Sequence, residues 1–303
     1  MELTRGKVAV VTGAGSGIGL ALAHAFAREG LSLVLADVQD DALAAAAVDI
    51  AARGVEVLAV RTDVSKETEV NALAAAAIER FGAVHIVCNN AGVAGKGDPW
   101  AGPIAAWEWT MGVNFWGVVY GVRAFLPHLV ASGGGHIVNT ASVAGLYPGF
   151  SPAYDASKHA VVAITESLYN SMQAAMLPIG VSCLCPYWVR TGIIDADRNW
   201  PAELGEAPVS DAIAEVSLAH VRRAIAEATP PAVVADLVLE SIVADRYWVF
   251  PHPEFIELVV ERFHRIAEGL DPLPPDETPG MPPRSQIMAE IMAAMAQMQP
   301  PAD

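Results

Sequence analysis

The stretch VAVVTGAGSGIG, residues 8–19, decides the fold class. Its apolar start predicts a buried strand, and the glycines that follow open an amphipathic segment typical of a helix. Glycines permit a tight turn and the close approach of a pyrophosphate, while a helix N-terminus offers free N–H groups and a positive dipole end. This context predicts a dinucleotide site that includes Gly13, Ser16, Gly17, Ile18 and Gly19.

Short apolar runs alternate with longer amphipathic stretches along the chain to about residue 250, which is typical of βαβ units. The pattern predicts strands at 8–11, 32–36, 55–60, 85–88, 136–139, 181–185 and 247–250. It predicts helices at 17–29, 40–53, 65–81, 103–131, 152–176 and 231–244. Right-handed crossovers would wind these elements into an α/β fold, a Rossmann-like doubly wound seven-stranded parallel sheet with helices on both faces.

Composition narrows the function classes. Apolar residues make up 53% of the 303 residues, which is enough to bury a large core. The formal net charge of −16 disfavours nucleic acid and anionic membrane surfaces as partners. The N-terminus lacks the apolar core of a signal peptide, and no run of the chain is long and apolar enough to span a membrane. Cys88, Cys183 and Cys185 lie in predicted strands without metal-ligand spacing, so we expect a reduced, cytoplasmic protein without a metal site.

The C-terminal part departs from the regular alternation. Residues 193–229 interrupt it after the sixth strand, and we interpret them as a substrate lid, with an ordinary surface insertion as the alternative. A last helix is predicted at 254–270, which ends a single domain spanning 1–270. Residues 271–283 are rich in proline and predict a linker or extended arm. A Met-rich helix at 286–298 would dock on the body or on a sister subunit, or alternatively recruit a partner.

A carboxylate at the end of the second strand bears on cofactor choice. Asp37 stands where it can accept hydrogen bonds from both hydroxyls of the adenosine ribose, and it would repel a 2′-phosphate. Its neighbours Ser16 and Val38 supply no arginine, so NAD is expected in preference to NADP. Asp37 could alternatively cap the next helix. Asp63 and Val64, after the third strand, would contact the adenine, although a helix cap at this point is the alternative.

A tyrosine and a lysine separated by one helical turn are the candidates for proton transfer. Tyr154 and Lys158 are spaced i, i+4 and therefore share a helix face. A neighbouring ammonium and a cationic nicotinamide favour the phenolate and lower a phenol pKa that is normally about 10. Such a tyrosine can take a proton from an alcohol near neutral pH. Ser142, at the end of the fifth strand, offers a hydroxyl to hold the substrate oxygen.

These motifs, in this order, resemble those of the short-chain dehydrogenase/reductase family. The resemblance covers about residues 7–191 and continues more loosely to 250. It rests on 12–19, 63–64, 89–92, 114–117, Ser142, Tyr154 with Lys158, and 186–191.

The resemblance implies a role for each matching residue. Tyr154 would be the acid/base, Ser142 would orient the substrate oxygen, and Lys158 would bind the nicotinamide ribose and lower the tyrosine pKa. Asn114 would anchor a proton-relay water, or alternatively serve as a structural polar group. Further cofactor contacts are implied for Asn90, Ala91, Gly92, Pro186, Val189 and Thr191. Hydride would be transferred from the pro-S face of the reduced nicotinamide.

One position departs from the family pattern, because Tyr187 follows Pro186 where a glycine is usual. Tyr187 and Trp188 would either shape the substrate pocket or pack under the lid. The other pocket candidates are Val93, Ala94, Val143, Leu146, Tyr147 and Phe150. These apolar and aromatic residues favour a hydrophobic, ring-bearing secondary alcohol or its ketone. The long lid and the region from Tyr247 through Pro253 and Phe255 also resemble the longer C-terminal halves of family members that act on bulky, lignin-related aryl alcohols.

The resemblance further implies a homotetramer or homodimer built on the two long helices at 103–131 and 152–176. Three alternatives remain beside an NAD-dependent alcohol dehydrogenase. An NADPH-dependent carbonyl reductase is disfavoured by Asp37, and a non-catalytic nucleotide sensor by the presence of Tyr154 and Lys158. The third is an interaction protein that recruits a partner through its Met-rich tail.

Overall fold

The protein is described from a computed structural model that covers residues 1–210, 212–272 and 277–298. In this part of the chain, seven parallel strands form one sheet in the order β3-β2-β1-β4-β5-β6-β7. They are β1 (Val8–Thr12), β2 (Ser32–Asp37), β3 (Val57–Arg61), β4 (Ile86–Asn89), β5 (Gly135–Thr140), β6 (Ile179–Leu184) and β7 (Trp248–Val249). The strand order reverses between β1 and β4, so a ligand crevice opens beyond their carboxyl ends. The predicted doubly wound sheet is confirmed.

Helices cover both faces of the sheet. They are α1 (Gly17–Arg28), α2 (Asp40–Ala51), α3 (Glu67–Phe81), α4 (Ala105–Met111), α5 (Gly117–Ala131), α6 (Pro152–Ala174), α7 (Ala212–Ala226), α8 (Pro231–Ala244), α9 (Ile256–Ala267) and α10 (Arg284–Met298). Side chains alternate along each strand, so Ala9 and Val11 pack in the layer of α1, α2 and α8, and Val10 packs in the layer of α3, α5 and α6. Phe26 and Phe125 are fully buried in the two layers, and each contributes about 1.5–3 kcal/mol by burial.

Most predicted boundaries agree with the structure to within one or two residues, and two sheet elements differ for a visible reason. The third strand begins at Val57 rather than 55, because its ladder with β2 begins opposite Leu33. The seventh strand was predicted over 247–250 but spans only Trp248–Val249. It pairs with the last two residues of β6, and Pro251, which has no N–H, follows immediately. The helix predicted over 254–270 consists of a 3₁₀ turn, Pro253–Phe255, followed by α9.

The helix predicted over 103–131 is wrong as one regular element. A π-helical segment, Gly112–Trp116, separates α4 from α5. Gly112 and Gly117 lie against the loop after β3, where a Cβ on Gly117 would stand 2.9 Å from Cγ2 of Val64. Asn114 lies in this segment and is buried, and π segments of this kind are frequent at functional sites.

The C-terminal elements fold back on one another. Residues 193–210 contain two 3₁₀ turns, Ile193–Asn199 and Ala202–Leu204, and α7 follows. Residues 271–272 and 277–283 form neither helix nor strand, as the prolines predict, and 273–276 and 299–303 lie outside the described residues. The Met-rich helix α10 starts at Arg284 and packs on α7, where Nε2 of His220 is 2.7 Å from Oε2 of Glu290. The domain boundary at 270 stays a prediction.

All three cysteines are buried and unpaired, as expected for strand packing. Within the described ranges, none of the helices has the length and apolar character needed to cross a bilayer. The same residues contain no cluster of three or more His, Cys, Asp and Glu side chains that could hold a metal ion.

A buried histidine makes stability depend on pH. Nε2 of His136 lies 2.8 Å from Oγ of Ser182, whose own hydrogen goes to the carbonyl of Arg246, so Nε2 donates, while Nδ1 lies 3.8 Å from Oδ1 of the exposed Asp245. Burial lowers the pKa of His136 to about 3. In the unfolded chain the pKa is about 6.5, so on acidification the unfolded state binds this proton first. The stabilisation is complete above that pH and is lost progressively as the pH falls toward 3.

We therefore expect the free energy of unfolding to fall by about 2 kcal/mol between about pH 8 and about pH 5 through His136 alone. Urea unfolding at the two pH values measures it. His136→Gln, whose amide can still donate to Ser182, should lose this part of the pH dependence. The same change at the exposed His264 should retain it. Equal pH dependence in the wild type and His136→Gln would contradict the assignment.

Candidate active site

The crevice at the carboxyl ends of the strands is a cavity of about 710 Å³. It is lined by nearly all residues predicted to bind cofactor or substrate: Gly13, Ser16, Gly17, Ile18, Asp37, Asp63, Val64, Asn90, Ala91, Gly92, Val93, Ala94, Ser142, Val143, Tyr147, Phe150, Tyr154, Lys158, Pro186, Tyr187, Trp188, Val189 and Thr191. Gly19, Asn114 and Leu146 are not part of its lining.

The glycine-rich turn fits a dinucleotide. Gly13 and Gly17 have φ angles of 66° and 56°, which favour glycine. A Cβ on Gly13 would stand 2.9 Å from Cα of Ala91, and one on Gly19 would collide with the carbonyl oxygen of Gly13. Ser16, the N-cap of α1, makes no side-chain cap, so the N–H groups of the first turn remain available at the cavity. A bare, positively polarised helix end beside glycines suits a pyrophosphate.

The carboxylate of Asp37 is fixed by the backbone. Oδ2 accepts a hydrogen bond from the N–H of Gly15 at 2.9 Å, and Oδ1 accepts one from Gln39 at 3.0 Å. Gln39 is the N-cap of α2, so Asp37 does not cap that helix. Each oxygen keeps another lone pair, and the residue lines the cavity. The geometry therefore leaves Asp37 able to accept from two ribose hydroxyls.

Unlike Asp37, Asp63 makes its side-chain contacts with the residues that directly follow it in the chain. Its Oδ1 accepts from both the N–H and the hydroxyl of Ser65, and Nζ of Lys66 is 3.4 Å from Oδ2. This turn precedes α3, whose N-cap is Lys66. The helix cap that was the alternative is therefore not found at Asp63 or Ser65, and Asp63 and Val64 line the cavity.

Arg198 was missed by sequence reasoning, because it belongs to the predicted lid and no local motif marks it. Its Nη1 donates to the carbonyls of Gly192 and Asp195, and its Nε lies 3.4 Å from Oε1 of Gln39. Arg198 lines the cavity. The expectation that no arginine lies near Asp37 considered only sequence neighbours, and the fold brings one to Gln39.

Ser142, Tyr154 and Lys158 come together at the other end of the cavity. Ser142 follows β5, and Tyr154 and Lys158 lie in the first turns of α6. Oγ of Ser142 donates to the carbonyl of Pro186 at 3.2 Å, accepts from the N–H of Ala144, and is hydrogen-bonded with Tyr154. Nζ of Lys158 is buried, donates to the carbonyl of Thr140 at 2.9 Å, and lies 5.5 Å from the centroid of the Tyr154 ring.

The charges of this group differ from the sequence expectation. Burial raises the pKa of Tyr154 to about 12, and the hydrogen bond with Ser142 offsets only part of this effect. Burial lowers the pKa of Lys158 to about 8. In the chain alone, desolvation therefore outweighs the lowering of the tyrosine pKa that the resemblance implied. Tyr154 is a protonated phenol near neutral pH, ready to donate, and further positive charge is needed for it to accept a proton.

Asn114 is buried behind the cavity and bridges three elements. Its Oδ1 accepts from the N–H of Val93 at 2.8 Å, and its Nδ2 donates to the carbonyl of Val93 and to Oγ of Ser157, both at 3.0 Å. These bonds join the π segment to the loop after β4 and to α6, as the structural alternative requires. The water-anchoring role stays a prediction.

Asn90 connects the two central strands. Its Nδ2 donates to the carbonyl of Thr12 at 3.0 Å, and its N–H donates to Oγ1 of the same threonine at 2.9 Å. The carboxyl ends of β1 and β4 are therefore fixed against each other at the floor of the cavity.

Aromatic side chains form the substrate half of the cavity. The ring centroid of Tyr187 is 3.5 Å from that of Phe255, 4.5 Å from Trp188 and 5.5 Å from Phe150. These residues pack on one another and also line the cavity, and Phe150 and Phe255 lie outside the predicted lid, so both the pocket role of Tyr187 and Trp188 and their packing under the lid stay predictions. Phe255 was noted only through the resemblance and not as a pocket residue, because no local pattern relates residues after the last strand to this loop.

The outer side of this half is also apolar, and it comes from segments that sequence reasoning could not place. They are residues of α7 (Leu218, Val221, Ile225) and of the C-terminal arm, defined as residues 277–298 (Met281, Ile287, Met288, Ile291). The Met-rich pattern predicts a helix, but periodicity alone does not say where a helix docks.

The sheet and its site define a class, the oxidoreductases of Rossmann-like fold. Residues 7–202 match the family model described as short chain dehydrogenase, so the chain belongs to this family, and the resemblance stated above is confirmed.

Similar proteins cover nearly the whole chain. A short-chain dehydrogenase/reductase from Burkholderia phymatum, solved in complex with NAD, is 43% identical with a TM-score of 0.88 over 92% of this chain and 100% of that one. The 1-deoxy-11-beta-hydroxypentalenate dehydrogenase of Streptomyces exfoliatus is 36% identical over 273 residues, 89% of this chain and 91% of its own. The CLA biosynthesis dehydrogenase/reductase of Lactiplantibacillus plantarum is 32% identical over 88% of this chain and 95% of its own.

Proposed function

We propose that this oxidoreductase interconverts a hydrophobic, ring-bearing secondary alcohol and its ketone, with Tyr154 as acid/base and NAD preferred over NADP. The observation that carries the proposal is that Ser142, Tyr154 and Lys158 share one cavity with the uncapped N-terminus of α1. A nicotinamide dinucleotide, when bound, takes up the hydride of the carbinol carbon or returns it.

The side chains divide the remaining work. Oγ of Ser142, which is hydrogen-bonded with Tyr154, can turn its hydrogen from Pro186 to the substrate oxygen and polarise it. Oη of Tyr154 takes the hydroxyl proton in oxidation and donates it to the carbonyl oxygen in reduction. Lys158 donates one N–H to the carbonyl of Thr140 and has two more that can donate to the hydroxyls of the nicotinamide ribose. Its ammonium also favours the phenolate of Tyr154. Asn90, Pro186, Val189 and Thr191 would complete the cofactor contacts.

The lining of the cavity supports the substrate class. Beyond Ser142 and Tyr154 it is dominated by rings and aliphatic side chains, which suit an apolar molecule with one reacting oxygen. The Streptomyces relative is a hydroxypentalenate dehydrogenase, which supports a hydroxyl-bearing substrate. Asp37 and the NAD bound to the Burkholderia relative support NAD.

We also propose a cytoplasmic homotetramer or homodimer built on α5 and α6. The exposed Trp116, which ends the π segment just before α5 and stacks on Tyr120, and the exposed Tyr169 on α6 offer apolar surface for such an interface. The three free cysteines are consistent with a reducing compartment.

The proposal is tested with a panel of secondary alcohols, from 2-butanol to bicyclic aryl carbinols, read by the absorbance of NADH. We expect turnover of ring-bearing members by the wild type and its loss in Tyr154→Phe. No turnover across the panel by a protein that binds NADH would contradict the proposed reaction.

The outer wall of the substrate half gives a prediction about substrate size. Ile291 lines the cavity, whereas its neighbour Met292 is exposed and does not. Ile291→Trp should fill space and lower kcat/KM for bicyclic alcohols about tenfold, equivalent to about 1.4 kcal/mol, while sparing 2-butanol. Met292→Trp adds the same ring outside the cavity and should leave the ratio of the two values unchanged. Equal ratios in all three proteins would show that α10 does not limit the substrate.

A further inference from the structure

The outer wall of the substrate half carries a positive charge. Among the described residues of α7 and the C-terminal arm that line the cavity, only Arg284, the first residue of α10, is charged. Ile287, Met288 and Ile291 also line the cavity, and they follow Arg284 at spacings of three, four and seven residues. Residues at these spacings share one face of a helix. Arg284 therefore continues, toward the start of α10, the apolar stripe that faces the cavity.

The start of the C-terminal arm lies against the loop that follows β6. A Cβ on Gly280 would stand 3.2 Å from Cδ1 of Trp188. Trp188 comes two residues after Pro186, whose carbonyl accepts a hydrogen bond from Oγ of Ser142. Four residues of chain span at most about 14 Å, which limits the distance from Gly280 to Arg284. The arm therefore brings Arg284 to the half of the cavity that is proposed to bind substrate.

The guanidinium of Arg284 is accessible and unpaired. Its residue is exposed, so a molecule that enters the cavity from solvent can reach it. No hydrogen bond or ion pair joins it to a described residue. Glu290, the one acidic residue of α10, is hydrogen-bonded with His220 at 2.7 Å and does not line the cavity. Arg284 thus keeps all five N–H donors for another partner.

The surroundings of Arg284 suit an anion. The other polar residues of this wall are Ser217 and Thr278, whose hydroxyls can also donate hydrogen bonds. Acidic residues outnumber lysine and arginine by 34 to 18, so an arginine of this chain has many carboxylates available as partners. Arg284 instead faces an apolar cavity, and the planar fork of a guanidinium matches the two oxygens of a carboxylate.

We propose that Arg284 binds a carboxylate of the substrate, at a distance from the oxygen that reacts. The substrate class is then narrower than an apolar secondary alcohol: it is a ring-bearing secondary alcohol that also carries an acidic group. This inference rests on the proposed function. Arg284 determines specificity and takes no part in the proton transfer, which belongs to Tyr154.

The test compares substrates that differ in charge but hardly in size. They are 1-phenylethanols with a para chain of one to four carbons that ends in a carboxylate, and the matching primary amides. We expect the wild type to prefer the acid over the amide at one chain length, about fivefold in kcat/KM, equivalent to about 1 kcal/mol. Added salt should reduce this preference, because Arg284 is exposed and its ion pair is screened.

The chain offers a matched control variant. Arg223 lies on α7, is exposed and does not line the cavity. Arg284→Gln should lower kcat/KM for the preferred acid to that of its amide, and Arg284→Lys should restore part of the difference. Arg223→Gln removes the same charge from the helix on which α10 packs, and it should retain the full preference. No preference at any chain length in the wild type, or one that survives in Arg284→Gln, would overturn the proposal.

Binding separates this inference from the proposed reaction. The matching keto acids and keto amides are titrated by calorimetry into the protein with NAD, which cannot reduce them. A preference for one keto acid that is lost in Arg284→Gln and kept in Arg223→Gln would support the role of Arg284. It would do so even if the wild type turned over none of the alcohols, a result that would count against the proposed function alone. Equal binding of acid and amide by all proteins would refute the inference.

Cofactor binding checks the alternative anion. NADH also carries negative charge, on its two phosphates, and it would occupy the same cavity. Arg284→Gln should leave the dissociation constant of NADH as it is in the wild type, measured by fluorescence titration. Weaker binding of NADH by Arg284→Gln, with Arg223→Gln unchanged, would assign Arg284 to the cofactor and overturn its role toward the substrate.

Discussion

Replacing Tyr154 by phenylalanine should lower kcat for every alcohol that the wild type oxidises by about a thousandfold or more, because general acid–base catalysis contributes about 10²–10⁴. The ring stays, so packing in the first turns of α6 and the dissociation constant of NADH should not change. What is lost is the one group that can carry the proton between the substrate oxygen and the protein. Steady-state oxidation and fluorescence titration of NADH measure the two quantities separately.

Tyr169→Phe is the matched control for this experiment, because Tyr169 lies farther along α6, is exposed, and does not line the cavity. It should behave as the wild type in both measurements. Unchanged turnover in Tyr154→Phe would refute the assigned acid/base. A parallel loss of NADH binding would show that the substitution disturbed the cavity and not only the proton transfer.

Because the pKa of Tyr154 is raised, the rates of reduction and oxidation should depend differently on pH. The phenol is the stable form in the chain alone, since burial raises its pKa to about 12. It therefore suits reduction, in which Tyr154 donates, over the whole neutral range. Oxidation needs the phenolate and should rise with pH. Burial lowers the pKa of Lys158 to about 8, so its ammonium carries less positive charge as the pH rises above that value.

The sequence is most informative about those parts of the site whose residues are close together in the chain. The glycines of the first turn, the strand before them and the helix after them are neighbours in the chain, so residues 8–19 suffice to predict the strand, the turn and the helix. Tyr154 and Lys158 are one helical turn apart, and any helix over them brings the two side chains together. The order of the strands follows from repeated right-handed crossovers.

The parts that escaped prediction depend on contacts between distant segments. At the π segment around Asn114, Gly112 and Gly117 approach the loop after β3, a contact that the periodicity of one helix cannot show. Arg198 reaches Gln39 across the cavity, and Glu290 pairs with His220. The sequence also indicates that a positive charge, that of Lys158, lies near Tyr154. It does not show how deeply Tyr154 is buried, and burial has the largest effect on the pKa of this tyrosine.

Asp37→Ala should weaken NADH binding about a hundredfold. Two charge-assisted hydrogen bonds to the ribose, at about 1.5 kcal/mol each, account for a factor of this size. In the wild type we expect NADH to bind at least about tenfold more tightly than NADPH, equivalent to about 1.4 kcal/mol, because the carboxylate repels a 2′-phosphate. Equal dissociation constants for the two cofactors in the wild type would refute the role of Asp37.

Because of Arg198, the affinity of Asp37→Ala for NADPH is more informative than its affinity for NADH. Its Nε lies 3.4 Å from Oε1 of Gln39, whose backbone N–H donates to Asp37, and both Arg198 and Asp37 line the cavity, so removing Asp37 removes a repulsion and leaves a cation. NADPH should therefore bind more tightly to Asp37→Ala than to the wild type, and Arg198→Ala in the same background should cancel this gain. Asp41→Ala, which removes an exposed carboxylate from the first turn of α2, should change neither affinity. A gain for NADPH that persists without Arg198 would mean that relief of repulsion is sufficient by itself.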